Sequence, residues 1–395
     1  MRQISADCIF PVTSTPVING ILRLTDDAEV IDILKPGDKD YDLNSAEIHE
    51  GWLIPGLVNA HCHIELSHLQ NAVKEHTGLD GFLEELMSVR EADESTIKQA
   101  IEEADAAMWN NGIVAVGDIS NGFASFATKN KSPIRYHTFI ELYGLNATKA
   151  ESIFSSGENL LNQLIKNKSN FSGNINPHAP YSVSNKLLDL ICNHVSEKDG
   201  IFCIHNQETQ SEEDFFKSGE GIMVNRMQKM GIDLSSFSPT GKSSLQSLLN
   251  PMSSQKKVLL VHNTFSNESD IIAAEASLEN VYWCLCPSAN LYIENRLPSI
   301  DLFRKHSHKI VIGTDSLASN HQLDLIREMY VLQSHFNDLT CEELIEWGTL
   351  RGAEILGFDN DLGSFSAGKK PGCVLIKHVD KKRAKFLPQS YARMI

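Results

Sequence analysis

The sequence predicts an α/β fold: a distorted (β/α)8 TIM barrel with a small β-sandwich module formed by the N- and C-terminal segments. Eight short runs rich in Val and Ile recur along the 395 residues, and most are separated by enough chain for a helix. Eight such units close naturally into a barrel. The two chain ends instead alternate and turn like small antiparallel strands. We therefore expect residues 1–54 and 358–395 to form the module, and residues 55–357 to form the barrel.

Each of the eight runs ends in polar residues, as a barrel strand does where it reaches the active-site face. In chain order they are WLIPGLVNAHCH (52–63), GIVAVGDIS (112–120), IRYHTFIELYG (134–144), SGNINPHAPYS (172–182), GIFCIHNQE (200–208), KVLLVHNTF (257–265), VYWCLCPSAN (281–290) and KIVIGTDSLASN (309–320).

Helices are predicted between the runs. The stretch at 95–112 has apolar residues at helical spacing, a Ser at its start and a Gly at its end. The stretch at 184–200 repeats this pattern, with Ser184 as the expected N-cap. Residues 209–244 are longer than a simple crossover needs, so we expect helical excursions over the barrel mouth there.

Composition excludes several classes of partner. The net charge is −16, which argues against nucleic acid or an anionic membrane surface, because phosphate binding needs a basic face. We expect no membrane span, since the chain has no run of 18 apolar residues, and no secretory signal is visible. The eight cysteines form no C-x-x-C pair, which favours buried thiols in a reducing, cytoplasmic setting.

Residues of the metal-ligand type end five of the eight runs. They are His61, His63, His178, His205, His262 and Asp315. An isolated H-x-H is usually incidental, and a lone His in an apolar strand is more often a hydrogen-bonded core residue. Their concurrence at strand ends favours a metal site, because these ends meet at one face of a barrel. Neutral imidazoles and a carboxylate suit Zn or Fe(II).

Glu208 follows His205 by three residues and lies just beyond the predicted strand end. One interpretation is a carboxylate favoured by the start of a helix. The other is a general base beside a metal, whose bound water has a pKa near neutrality. Because residues of the metal-ligand type end five of the eight runs, the second interpretation is favoured.

The motifs PGLVNAHCH, HAPYS, HNQE, VHNT, CPSAN and GTDSLASN together resemble the amidohydrolase superfamily, in its deaminase and chlorohydrolase branch. The resemblance covers nearly the whole chain. It implies that His61, His63, His205 and Asp315 bind one divalent metal, with zinc expected and iron as the alternative. It also implies catalytic roles for Glu208, His262 and Asp315.

A single metal is expected because two-metal members commonly use a lysine at the end of strand four. Here that strand ends in NPHAPYS, with no lysine before Lys186. The chain departs from the family at Ala289, where C-P-x-S-N often has Ser, and this leaves the substrate contacts of that loop open.

The stretch HCHIELSHL resembles deaminases that act on adenine-containing nucleosides. It implies a hydrolytic deaminase that releases ammonia from an aminopurine nucleoside, with aminodeoxyfutalosine of menaquinone biosynthesis favoured. His178, Glu65 and Asn320 are the expected substrate contacts. A substrate carboxylate would have three candidate partners, namely Arg90, Arg135 and Arg296, and the alternative for each is a solvated surface charge. Cys62 is expected to pack away from the site, and His68 has no role in it.

Other functions stay open on this evidence from sequence. The same site could deaminate S-adenosylhomocysteine, methylthioadenosine or guanine, or hydrolyse a triazine. A non-catalytic metal-binding protein would be expected to lack a ligand or the general base, and none is missing. A carbohydrate or nucleic-acid binder would need a basic or aromatic stripe, and aromatics are only 7%. We expect a small-molecule substrate and a homo-oligomer, a dimer.

Overall fold

The computed structural model describes residues 1–166, 172–235 and 237–395. The strands are β1 Arg2–Ile9, β2 Val17–Ile18, β3 Ile21–Leu24, β4 Val30–Leu34, β5 Glu47–Pro55, β6 Leu57–Cys62, β7 Ile113–Ser120, β8 Arg135–Leu142, β9 Ser172–Pro177, β10 Phe202–Asn206, β11 Val258–His262, β12 Val281–Leu285, β13 Ile310–Ile312, β14 Cys373–Lys377 and β15 Tyr391–Met394. The eight predicted runs each contain one strand from β6 to β13.

Helices follow most of these strands. They are α1 Gly78–Val89, α2 Glu94–Asn110, α3 Phe126–Lys129, α4 Ala150–Lys166, α5 Asn185–Glu197, α6 Gln210–Ser218, α7 Ile222–Lys229, α8 Ser244–Met252, α9 Glu268–Ser277, α10 Pro287–Glu294, α11 Ile300–His306, α12 Leu325–His335, α13 Cys341–Trp347 and α14 Leu350–Leu356. Ser184 caps α5 by accepting the N–H of Leu187, as predicted. In contrast, α2 begins before the predicted Ser95 and is capped by Asp93.

The strands β6 to β13 form two four-stranded parallel sheets, β6-β7-β8-β9 and β10-β11-β12-β13. Hydrogen bonds join the sheets at both seams. At one seam the N–H of His205 donates to the carbonyl of His178 at 3.0 Å. At the other, the N–H groups of Thr314 and Asp315 donate to the carbonyl of His61 at 3.0 and 3.2 Å.

Asparagine side chains reinforce both seams. Asn176 Oδ1 accepts the N–H of Cys203 at 2.8 Å on the β10 side. At the opposite seam, Asn59 Nδ2 donates to Thr314 Oγ1 at 2.7 Å. Side-chain amides thus supply hydrogen bonds that irregular strand ends leave unmade. The eight strands follow one another around a ring, with the carboxyl ends of all of them on one face.

Both ends of the chain meet in a seven-stranded sheet of order β15-β14-β5-β1-β3-β4, with β2 paired to β1. The antiparallel pairing of β14 with β5 brings the C-terminal segment against the N-terminal one. The register of β1 on β5 shifts between Ala6 and Cys8, where the strand bends. The division into domains at residues 54/55 and 357/358 stays a prediction.

Apolar side chains fill the ring and the layer between strands and helices. Inside the ring lie four fully buried side chains, those of Phe139, Leu259, Val261 and Val311. Cys284 and Cys286 belong to the same cluster. Cys62 packs in a different cluster, between the strands and the outer helices. All eight cysteines are free and buried.

Within the part of the chain that the structure describes, no helix combines the length and apolar character needed to cross a bilayer.

Candidate metal centre and active-site cavity

Four predicted ligands converge at the carboxyl ends of the barrel strands. His61 lies in β6, His63 directly after it, His205 in β10, and Asp315 after β13. The Nε2 atom of His63 lies 3.1 Å from His61 Nε2 and 3.2 Å from His205 Nε2. Asp315 Oδ1 lies 3.6 Å from His61 Nε2 and 3.4 Å from His63 Nε2. Residues as far as 250 positions apart in the sequence thus bring their ligand atoms together in one small cluster.

These spacings fit a divalent cation. Ligand bonds of 2.0–2.2 Å in a tetrahedron put neighbouring ligand atoms about 3.3–3.6 Å apart. Three imidazole nitrogens that face one another at 3.1–3.2 Å would repel if each presented a lone pair, and a cation removes that repulsion. The geometry therefore supports metal binding by His61, His63, His205 and Asp315.

The surroundings keep the imidazoles neutral and correctly oriented. His205 Nδ1–H donates to the carbonyl of His178 at 2.7 Å, so its Nε2 presents a lone pair to the centre. Burial lowers the pKa of His61 to about 4 and that of His63 to about 3. Neutral imidazole is the form that binds a metal.

Asp315 is held as a carboxylate. Burial raises its pKa, but the attraction of the nearby His61, His63 and His262 rings outweighs burial and holds the pKa well below its usual range. Ser319 Oγ also donates to its second oxygen, Oδ2, at 2.5 Å. The orientation of Oδ1 toward the histidines is therefore fixed by a contact on the opposite oxygen.

Glu208 and His262 lie close to each other beside this centre. Glu208 Oε1 lies 3.6 Å from His262 Nε2, and both side chains are buried. Burial raises the pKa of Glu208 to about 8. His262 Nδ1–H donates to Asn290 Oδ1 at 3.0 Å, which directs its Nε2 lone pair toward Glu208 and the metal centre. The site thus combines a ligand set with an adjacent carboxyl group whose pKa lies near neutrality, where a group can both accept and donate a proton.

Four residues around the centre have left-handed backbones. They are Gln207, His262, Asn263 and Asp315, with φ of 45°, 72°, 56° and 58°. Such a conformation costs a non-glycine residue roughly 1–2 kcal/mol. Residues held in this way cluster at functional sites, where the surrounding structure maintains them.

A cavity of about 590 Å³ opens onto the centre. Its inner wall is polar and includes His63, His178, His205, Glu208, His262 and Asp315. Its outer wall is apolar and comes mainly from α1, α7 and the loop after α7, through Leu79, Phe82, Leu83, Leu86, Met87, Met227, Met230 and Ile232. The helical excursion expected at 209–244 thus contributes α7 to this mouth, with Ser236 outside the described residues.

The structure treats the three predicted substrate contacts differently. His178 lines the cavity, and its Nδ1 is hydrogen-bonded to Ser182 Oγ at 2.9 Å. The described cavity lining does not include Glu65, whose Oε1 accepts the N–H of Asn121 at 2.9 Å. It does not include Asn320 either, whose amide donates to Thr314 O at 2.9 Å. Substrate contact by these residues stays a prediction, and only His178 is positioned to make it directly.

The three candidate arginines differ in whether they line the cavity. Arg90 lines the cavity and donates to Asn121 Oδ1 at 3.2 Å. Arg135 pairs with Asp361 at 2.7 Å, and Arg296 lies 4.4 Å from the ring centre of Phe265; the cavity lining among the described residues includes neither. His68 contacts the carbonyl of Arg90 at 2.9 Å, away from the metal centre.

Sequence reasoning missed Glu141, which lies next to the last residue of β8 and lines the cavity. Its Oε2 accepts Asn121 Nδ2–H at 2.8 Å. Its Oε1 lies 3.5 Å from His205 Nδ1 and, among the residues described, has no hydrogen-bond partner. The proton on His205 Nδ1 goes to the His178 carbonyl instead. The signal that could have identified Glu141 is a charged residue at the end of an apolar run, which is how the ligands were found.

Comparison with known proteins places this architecture in a family. A family model described as the amidohydrolase family matches residues 52–390. The chain is 25% identical to an aminodeoxyfutalosine deaminase from Nitratiruptor over 359 residues, which is 88% of this chain and 84% of that one.

Two solved structures show the same fold. The Helicobacter pylori aminofutalosine deaminase in complex with methylthio-coformycin superposes with a TM-score of 0.82 at 19% identity, covering 96% of this chain and 93% of that one. An adenosine deaminase from Xanthomonas campestris with bound zinc gives 0.72 at 19% identity, covering 97% and 88%. These likenesses confirm the predicted fold class. The family match spans most of the sequence, and the chain belongs to the amidohydrolase family.

Proposed function

We propose that the protein is a metal-dependent hydrolytic deaminase that removes ammonia from an aminopurine nucleoside. One observation carries this proposal: the carboxylate of Glu208 lies 3.6 Å from His262, directly beside four converging ligand groups, on the polar wall of a cavity. A non-catalytic metal-binding protein would not need such a carboxylate there. The deaminase names of the relatives agree with the proposal.

His61, His63, His205 and Asp315 would hold the metal, for which zinc is favoured and iron is the alternative. When bound, a divalent ion supplies a nucleophile at neutral pH by acidifying water. The zinc in the Xanthomonas campestris deaminase supports the choice of metal.

The chain's own groups move the protons. Glu208 Oε1 accepts a proton from the attacking water and delivers it to the ring nitrogen next to the amine-bearing carbon. This makes the ring a better acceptor of charge, and such transfer typically contributes about 10²–10⁴-fold. The second proton of the water then passes to the amine nitrogen, the carbon–nitrogen bond breaks, and ammonia leaves. His262 Nε2 faces the same space and accepts a hydrogen bond from the water. His178, on the same wall, is placed to contact the substrate ring.

The cavity supports a nucleoside with an apolar extension rather than a free base. Its volume of about 590 Å³ lies within the range of sites for drug-sized ligands. The side chains of α1 and α7 offer an apolar surface to the part of the substrate farthest from the metal. We therefore favour aminodeoxyfutalosine. The alternatives are S-adenosylhomocysteine, methylthioadenosine or guanine as deaminase substrates, or a triazine as a hydrolase substrate.

A substrate panel on metal-loaded protein tests the proposal. Ammonia release and ring absorbance would be followed with aminodeoxyfutalosine, adenosine, S-adenosylhomocysteine, methylthioadenosine, guanine and a chlorotriazine. We expect turnover of nucleosides with a bulky substituent at the 5′ position. Turnover of the chlorotriazine alone, or of nothing, would show that the proposal is wrong.

Glu208→Gln should retain the metal and lose about 10²–10⁴-fold in kcat, because it removes the group that accepts the proton. Metal content by mass spectrometry is the control. Near-normal turnover of this variant would contradict the assignment of Glu208.

We also propose the two-domain division described above, a homodimer and a cytoplasmic setting. The free, buried thiols agree with a reducing compartment.

A further inference from the structure

The backbone directly before Glu208 has a conformation that needs support. Gln207 has φ of 45°, in the left-handed region, and is fully buried. A non-glycine residue pays roughly 1–2 kcal/mol for this conformation, so surrounding contacts must hold it.

One carboxylate accepts the N–H groups of both residues. Glu212 Oε1 accepts the N–H of Gln207 at 3.0 Å, and Glu212 Oε2 accepts the N–H of Glu208 at 3.1 Å. Glu212 lies in the first turn of α6 and is fully buried. Since each oxygen binds one of two consecutive N–H groups, Glu212 fixes the direction in which the chain leaves β10. It thereby sets the direction of the Glu208 side chain.

The side chain of Gln207 ties this loop to the loop that follows His262. Its Nε2 donates to Glu213 Oε1 and to Asp270 Oδ2, both at 2.9 Å. Its Oε1 accepts Ser266 Oγ–H at 2.6 Å. Ser266 and Asp270 come after β11, the strand that ends in His262. The loops that carry Glu208 and His262 are therefore joined through one amide.

We propose that a buried set of side chains, the Gln207 clamp, positions Glu208 against His262 for proton transfer. The clamp consists of Gln207, Glu212, Glu213, Ser266 and Asp270. The described lining of the cavity includes none of them, so they act through Glu208 and not by touching substrate. This inference rests on the proposed function, in which Glu208 moves protons. A displacement of about 1 Å in such a group costs on the order of 10²-fold in rate.

Glu212→Gln tests the clamp with little change in volume. The amide keeps one acceptor oxygen, but it turns an NH2 group toward the remaining backbone N–H, so that two donors face each other. We expect kcat to fall about 10²-fold, with KM within about twofold and the metal content unchanged. A kcat within about threefold of the wild type, a rise in KM alone, or loss of the metal would each overturn the proposal.

Asp105→Asn is the matched control. Asp105 is a buried carboxylate on α2, where it accepts Tyr136 Oη–H at 2.6 Å, and the described cavity lining does not include it. The substitution removes a buried carboxylate elsewhere in the barrel and should leave kcat at the wild-type value. A kcat that fell as far as in Glu212→Gln would assign both effects to stability and overturn the clamp.

Hydrogen exchange at the amides of residues 207 and 208 tests the clamp independently of turnover. We expect exchange at least about tenfold faster in Glu212→Gln than in the wild type at one of the two amides, because that N–H loses its acceptor and faces the new NH2 group. Unchanged exchange would overturn the clamp. If the wild type turns over no substrate in the panel, the proposed function fails, and this measurement still decides the structural part of the inference.

Discussion

Replacing Lys129 by methionine should destabilise the fold far more than the loss of a surface charge, because its ammonium group is fully buried beside a carboxylate. Lys129 Nζ lies 2.5 Å from Asp118 Oδ2, and neither side chain is exposed. Ser120 Oγ and Thr138 Oγ1 accept two of its N–H groups at 3.0 and 3.1 Å. The ammonium is therefore held inside the protein by two hydrogen bonds and by its charge pairing with Asp118.

The magnitude follows from what the substitution leaves behind. Removing one partner of a buried ion pair costs about 3–5 kcal/mol, since the other charge stays buried without compensation. Burial already raises the pKa of Asp118 despite the attraction of Lys129. Without the ammonium its pKa rises further, so the folded variant binds an extra proton. The loss should therefore approach the upper value near pH 8 and shrink toward pH 5.

Urea unfolding, followed by fluorescence, measures this loss. Lys186→Met is the control, because Lys186 pairs with Glu151 at 2.6 Å with both side chains exposed, and its midpoint should stay near that of the wild type. Adding Asp118→Asn to Lys129→Met should recover part of the loss. If Lys129→Met unfolds within about 1 kcal/mol of the wild type at pH 8, the reasoning from buried charge is wrong.

The consequence for the site is measurable as well. Asp118 Oδ1 accepts the N–H of Ile64 at 2.9 Å, directly after the proposed ligand His63. Disturbing such a supporting contact typically weakens metal binding about 10–100-fold. Lys129→Met should therefore show weaker zinc binding by competition with a chelating dye, and unchanged binding would contradict this link.

Three further predictions concern the metal, the orientation of His262 and pH. Stripping the metal with a chelator should lower the thermal midpoint by several degrees, since a ligand at 100 times its Kd adds about 2.7 kcal/mol to the free energy of unfolding. In His63→Ala, which lacks one proposed ligand, the chelator should leave the thermal midpoint unchanged. Asn290→Ala removes the acceptor that orients His262, so kcat/KM should fall about 10–100-fold with little change in the thermal midpoint. Burial raises the pKa of Glu328 to about 7 from the ordinary 4.5, so this group binds more protons in the folded protein than in the unfolded chain. The wild type should therefore lose stability as the pH rises between these two values. Glu328→Gln should give a flatter dependence of the unfolding midpoint between pH 5 and 8, and an unchanged slope would contradict the shift.

The barrel and the convergence of the proposed ligands could be predicted because their signals are repeated. Each strand is a run of apolar residues, and His61, His205 and Asp315 mark where three of them end. Because ligand-type residues recur at several strand ends, the metal interpretation has more support than any single motif could give it. The confirmed family assignment rests on motifs that keep this order along the chain.

Other parts of the site left no repeated signal. Glu141 is a single acid at a strand end, and Asn290 is a single amide in the first turns of α10, in a segment for which the sequence predicts a loop. Glu212 reads from sequence as an ordinary carboxylate in the first turn of a helix, although it is fully buried and binds two N–H groups. Their roles depend on which side chains lie opposite them in space, and residue spacing along the chain carries no information about that.

The left-handed backbones of His262 and Asp315 bear on how this enzyme could be engineered. Glycine or asparagine would adopt the same conformation at lower cost, so a screen for heat resistance alone should accept such replacements. Each would remove a group that the proposed chemistry needs. Attempts to make the protein more thermostable should therefore hold these two positions constant and search the surface helices, where stabilising changes do not compete with turnover.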